Sequence, residues 1–175
     1  MAVCVLRLGH RLRRDQRITT HVFLAARALG ADEGVLCGYE DASVVEGLKK
    51  VCDVWGGQFK VRYEPSWKKF LAARKRQGWK VAHLTMYGED FEAGARRFYG
   101  VNVVVVVGAG KVPTELYRLA DCNLAVLNQP HSEISALALF LDRFCRGKGI
   151  DGGVGGRMRI LPNKCGKSVV RVKND

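Results

Sequence analysis

Between Leu124 and Asp142 a short apolar run breaks into the polar corner Asn128-Gln129-Pro130-His131-Ser132-Glu133 and then into apolar residues at helical spacing. A corner of this kind can hold a small ligand, because the first N–H groups of a helix lack intrahelical acceptors and favour polar or anionic groups. Two further corners carry similar potential: His83-Leu84-Thr85-Met86-Tyr87-Gly88, and Gly108-Ala109-Gly110-Lys111-Val112 behind the β-branched run Val101–Val107. All three follow apolar runs, and α/β sheets bind ligands beyond the carboxyl ends of their strands. A fourth group joins Arg7, Arg11, Arg13, Arg14 and Arg17 to His10 and Asp15. These side chains could converge on a phosphate or a reacting hydroxyl.

Positioning these residues requires alternating strands and helices. Strands are expected at 2–8, 34–37, 59–63, 80–85, 101–107 and 124–127, the fifth of them central because it is almost wholly β-branched. Helices are expected from Thr19 or Thr20 to about Gly30, from Asp41 or Ser43 to the Gly56-Gly57 stop, from Pro65-Ser66 to about Gln77, around Asp90 to Phe98, and from Pro113 to Leu119. The last helix is capped by Ser132 and buries Ile134, Leu137, Ala138, Leu141, Phe144 and Cys145. This alternation predicts an α/β fold with a parallel sheet. Gly147 to Gly156 reads as a linker, and the segments Arg157–Leu161 and Val169–Val172 as a terminal β-hairpin. The expected organisation is therefore a domain over 1–146, a glycine-rich linker over 147–156 and a hairpin extension over 157–175.

A net charge of +12 with a pI near 9.7 favours an anionic polymer, and nucleic acid is the leading partner. The basic residues from Lys68 to Lys80 lie on an expected helix, where a solvated face is the simpler reading. The six cysteines show no C-x-x-C spacing and no close histidine partner, so no metal site is expected and the thiols should be reduced. No apolar stretch reaches the roughly 18–20 residues of a membrane span, and no secretory leader precedes the first strand. A cytoplasmic protein without membrane association is expected. Gly108-Ala109-Gly110 fails as a dinucleotide fingerprint because Pro113 occupies the third glycine position. Gly166-Lys167-Ser168 fails as a phosphate loop because Leu161 stands where its first glycine belongs. Neither paired carboxylates nor a nucleophile elbow is present, so hydrolysis has no machinery.

The segments from Arg7 to Val22, His83 to Gly88 and Asn128 to Ile134 together resemble the archaeal tRNA (cytidine(56)-2'-O)-methyltransferases of the SPOUT superfamily, over nearly the whole chain. The resemblance implies a SPOUT-type sheet with a C-terminal deep trefoil knot, a homodimer, S-adenosyl-L-methionine bound at the knot, and tRNA as substrate. By the family's motifs the cofactor pocket would be lined by Leu84, by Gly108, Ala109, Gly110, Lys111 and Val112, and by Val126, Leu127, Asn128, Gln129, Pro130, His131, Ser132 and Glu133. Position 110 is glycine where the family pattern G-A-E-K-V-P has glutamate. Enzymes of this superfamily are thought to use an arginine of the first motif on the acceptor hydroxyl, which makes Arg14 and Arg17 the catalytic candidates, with Arg11 and His21 next. Leu24 stands where bacterial relatives carry theirs. Two alternatives stay open: a non-enzymatic RNA-binding protein with a vestigial pocket, and a methyltransferase acting on another RNA nucleotide.

Overall fold

In the computed structural model, which describes residues 1–149 and 155–172, strands and helices alternate as the apolar runs do. β1 (Val3–His10) leads to α1 (Gln16–Ala28), β2 (Glu33–Gly38) to α2 (Ala42–Trp55), and β3 (Lys60–Tyr63) to α3 (Trp67–Arg76). β4 (Lys80–Asp90) leads to α4 (Phe91–Ala95) and a 3-10 turn at Arg96–Phe98, β5 (Val103–Gly108) to α5 (Thr114–Leu119), and β6 (Cys122–Ala125) to α6 (Glu133–Phe144). The six strands form one parallel sheet in the order β3-β2-β1-β5-β4-β6. A separate antiparallel hairpin pairs β7 (Met158–Leu161) with β8 (Ser168–Arg171), as its alternating sequence predicts.

Strand β5 is buried on both faces, which explains its unbroken valines. On one face Phe23 of α1, Leu48 of α2 and Phe140 of α6 pack against the sheet. On the other lie Phe70 and Leu71 of α3 and Leu116 of α5. Phe140 is a hub of that first layer, meeting Phe91 and Phe98 edge-on and stacking on Phe144 at 5.7 Å. It falls outside the expected stripe, because a helix against a broad sheet buries a wider arc than a single i, i+3, i+4 row.

Three boundaries differ from expectation. Helix α1 begins at Gln16, not at Thr19 or Thr20, because Asp15 takes the cap position and Thr19 turns inward to His10. Strand β4 does not stop at Thr85 but continues to Asp90, pairing β6 twice, with Leu124 facing both Leu84 and Glu89. The register shift between them bulges Thr85 to Gly88 outward, the usual effect of unpaired residues in a ladder. Strand β6 ends at Ala125, which leaves Val126 and Leu127 in the corner before α6. Part of the expected linker, 150–154, and the end of the hairpin extension, 173–175, lie outside the described residues. All six cysteines are free; burial raises the Cys4 thiol and pushes that of Cys122 up to about 12, so both stay protonated.

Candidate active site at the carboxyl ends of the central strands

The carboxyl ends of β4 and β5 and the start of α6 enclose a cavity of about 690 Å³, within the usual size range of small-molecule sites. The bulge of β4 forms one wall, the Gly108–Val112 loop the second and His131–Ala136 the third, with Ile18 and Tyr117 closing the sides. A Cβ on Gly108 would collide with the Val112 side chain, so the loop can fold this tightly only with glycine there. At Gly110 an added Cβ meets nothing within 4 Å, so the backbone there faces open space.

The electrostatics of the cavity centre on Glu133. Its carboxylate pairs with Arg7 at 2.9 Å across the end of β1. Arg7 is only 1% exposed, donates Nη1 to the Leu8 carbonyl at 3.1 Å, and has no acceptor for Nε among the described residues. Burial pushes the Glu133 carboxyl up and the Arg7 guanidinium down, while the attraction between them opposes both shifts. Behind the β4 wall, His83 donates Nδ1–H to Asn123 Oδ1 at 2.8 Å and meets the Tyr117 ring edge-on at 4.8 Å. Burial lowers its pKa, which keeps the imidazole neutral. Tyr117 in turn shares a hydrogen bond with Thr85 at 3.1 Å, fixing the bulge.

Beside the cavity the basic loop is tethered through Arg11, whose Nη2 donates to the Ala109 carbonyl at 3.4 Å. Asp15 accepts from Arg11 Nε at 2.9 Å and from the Arg11 backbone at 3.1 Å, and the bond to the Arg11 guanidinium holds the Asp15 carboxyl low. Between these anchors Arg13 adopts a left-handed φ of 65°, a conformation that costs a side-chain-bearing residue about 1–2 kcal/mol. Underneath, buried His10 bridges Thr19 at 2.9 Å and Asp41 at 3.2 Å, and Asp41 caps α2. Arg13, Arg14 and Arg17 are exposed and form no ion pair among the described residues.

This arrangement coincides with clear sequence kinship. The tRNA ribose 2'-O-methyltransferase family aTrm56 matches residues 55–170. The chain is 46% identical to a tRNA (cytidine(56)-2'-O)-methyltransferase of Thermococcus kodakarensis, over 98% of both chains. To the enzyme of that name from Methanothrix thermoacetophila it is 48% identical, covering 97% of this chain and 98% of the relative. The chain belongs to the aTrm56 family. Its fold is also that of the SpoU methyltransferase AviRb from Streptomyces viridochromogenes, solved in complex with the cofactor AdoMet. The TM-score there is 0.61 at 15% identity, over 83% of this chain and 57% of that one.

Against this aTrm56 framework the expected pocket residues divide. The cavity brings together Leu84, Gly108 to Val112, His131, Ser132 and Glu133. Val126, Leu127, Asn128, Gln129 and Pro130 stand outside its lining: Val126 packs on the core, and Leu127 to Pro130 are exposed. Asn128 instead fastens two walls, donating Nδ2 to the carbonyls of Met86 at 2.9 Å and Gly88 at 3.2 Å. Arg14 and Arg17 do not line the cavity, although their neighbour Ile18 does. Sequence reasoning named the His83 corner and grouped Arg7 with the loop arginines, but it did not foresee Arg7 as the buried partner of Glu133, and it missed Tyr117. Arg7 gave a signal, since a charge inside an otherwise apolar strand needs a buried partner. Tyr117 gave none, because its contact with His83 exists only once α5 packs on β4.

Proposed function

We propose that this protein transfers a methyl group to the ribose 2'-hydroxyl of cytidine 56 in the T-loop of tRNA, using S-adenosyl-L-methionine held in the cavity between β4, β5 and α6. The observation that carries this reading is the three-walled cavity itself, built from motif segments in a chain 46–48% identical to enzymes of that name. Its residues fit the cofactor: mixed polar and apolar walls, a glycine loop whose backbone can approach an adenosine closely, and the Glu133 carboxylate for a cationic group. When bound, the cofactor would supply an electrophilic methyl on a sulfonium, whose neutral thioether is a good leaving group.

The chain's own residues must then place the acceptor oxygen in line and take up its proton. Proximity and alignment supply much of the acceleration in such a transfer. Arg14, with Arg17 beside it, is the candidate for orienting the acceptor phosphate and assisting deprotonation, which is demanding because guanidinium holds its proton so strongly. Arg7 is buried against Glu133 and positions that carboxylate. A deep trefoil knot accompanies this reading, as the family resemblance implies. So does a homodimer, favoured by exposed Ile18 and Tyr87 in the cavity lining. Residues 1–146 then form the catalytic domain, 147–156 a linker and 157–175 the extension. Among the described residues no helix is long and apolar enough to cross a membrane, in keeping with a cytoplasmic enzyme acting on tRNA.

The test is incubation with unmodified tRNA and labelled S-adenosylmethionine, followed by mapping of the modified nucleotide. One 2'-O-methyl group at position 56 is expected. Binding of tRNA without transfer would leave an RNA-binding protein, and methyl groups confined to another arm would assign a different nucleotide.

A further inference from the structure

We propose that a second cavity, on the far side of the Gly108–Val112 loop, receives the base and phosphate of the acceptor nucleotide, with Trp67 as its stacking platform; this rests on the RNA methyltransferase reading above. The cavity measures about 410 Å³ and lies where the ends of β1 and β2 meet the start of α3. Ala109, Gly110, Lys111 and Val112 line both cavities, so a ligand in the second is separated from the first by one loop. Gly110, in both linings, adds no side chain to either, and a Cβ there would meet nothing within 4 Å.

The two cavities differ in their acidic groups. The first contains the Glu133 carboxylate, which Arg7 holds at 2.9 Å. The second has no carboxylate in its lining; Lys111, which lines both, faces it without an ion pair among the described residues, and Arg11 stands at its edge with its guanidinium held by Asp15. Its one aromatic wall, Trp67, is half-buried and held at the first turn of α3, where Ser66 accepts from the Lys69 backbone at 3.4 Å. Beside it Lys68 is paired with Glu115, its ammonium 5.6 Å from the Trp67 ring centroid. The floor is backbone: Gly9 and Gly38 have φ of +71° and +131°, and a Cβ on Gly38 would come within 2.6 Å of the His10 backbone. An aromatic face, cations at the rim and a floor without side chains match an unstacked nucleotide, since RNA is read by stacking splayed bases on aromatic rings.

The experiment compares equilibrium binding of two tRNAs, one with cytidine and one with an abasic ribose at position 56, to wild type, Trp67→Leu and Trp67→Phe. Thermal melts are run on each protein. The abasic tRNA should bind wild type roughly tenfold more weakly, the scale of one base–aromatic stack. Trp67→Leu, which keeps apolar packing, should lose about the same factor and no longer distinguish the two RNAs, while Trp67→Phe recovers most of it. Equal binding of the two RNAs by wild type overturns the proposal without requiring any variant, as does an abasic penalty that persists in a folded Trp67→Leu protein. Methyl transfer by wild type to the cytidine tRNA is scored separately: its absence would remove the enzymatic reading, whereas the binding comparison alone decides the pocket.

Discussion

The corner at Arg7 and Glu133 and the loop from Arg11 to Arg17 carry the same residue type in opposite environments. Arg7 is sealed beneath the sheet end and committed to one carboxylate, whereas Arg13 and Arg14 stand in solvent on a loop pinned by Asp15 and Arg17 in the first turn of α1 that follows it. Buried guanidinium demands a partner because its desolvation is uncompensated otherwise. Exposed guanidinium remains available for phosphate. The net charge of +12 therefore mixes two kinds of cation: those that build the site and those that meet RNA. The α3 region holds a third kind, paired at the surface away from the site: Arg74 with Glu33, Lys68 with Glu115, and Lys75 and Lys80 with Asp121.

Breaking the buried pair should have the largest effect. Arg7→Leu leaves Glu133 facing an apolar strand end, and removing one partner of a buried pair typically costs about 3–5 kcal/mol. Glu133 retains 20% exposure, so the low end of that range is expected in denaturant titrations. The double variant Arg7→Leu/Glu133→Gln should recover much of the loss. An Arg7→Leu protein as stable as wild type would erase the contrast between corner and loop.

Arg14→Ala tests the other side. Methyl transfer should fall about a hundredfold or more, the scale of a lost proton-transfer or positioning group, while stability stays within about 0.5 kcal/mol and cofactor affinity near wild type. Lost cofactor binding would instead make the loop part of the pocket wall.

The contrast also explains what was legible in the sequence. The succession of elements and the parallel sheet follow from alternating apolar runs and helical stripes, and the three corners were visible because polar and glycine residues interrupt those runs abruptly. The β4 bulge was not legible: Thr85 to Gly88 read as a strand end, and only the return of Glu89 and Asp90 to β6 makes it a loop within a strand. Nor was the start of α1, because Asp15, Thr19 and Thr20 are all acceptable caps, and the choice depends on His10 claiming Thr19 from another element. Arg7 counted with its neighbours as one of a group that could converge on a phosphate or reacting hydroxyl, since composition carries no depth. Of the expected pocket residues outside the cavity lining, Asn128 fastens the β6–α6 corner to the β4 bulge, a contact that exists only once the two strands lie side by side.

Asp15, the buried anchor of an otherwise exposed loop, gives the contrast a pH dependence. A carboxyl whose folded pKa lies below its unfolded value stabilises the fold above the ordinary Asp value of about 3.9 and loses that contribution as pH falls through the folded pKa. Wild type should accordingly melt above Asp15→Asn at neutral pH, and the gap should close in acid below the ordinary aspartate range. A gap independent of pH would mean that the Arg11 tie acts through geometry alone.

The smallest effects belong to single loop arginines. Each phosphate contact contributes roughly one unit to the slope of log affinity against log salt, so Arg13→Ala and Arg17→Ala should each flatten that slope by about one and weaken tRNA binding a few-fold at moderate salt. Arg7→Leu should leave the slope unchanged even where it weakens the protein, because a guanidinium 1% exposed releases no counterions from RNA. A salt slope altered by Arg7→Leu and untouched by the loop variants would reverse the assignment, making the buried corner the RNA contact and the loop a solvated surface.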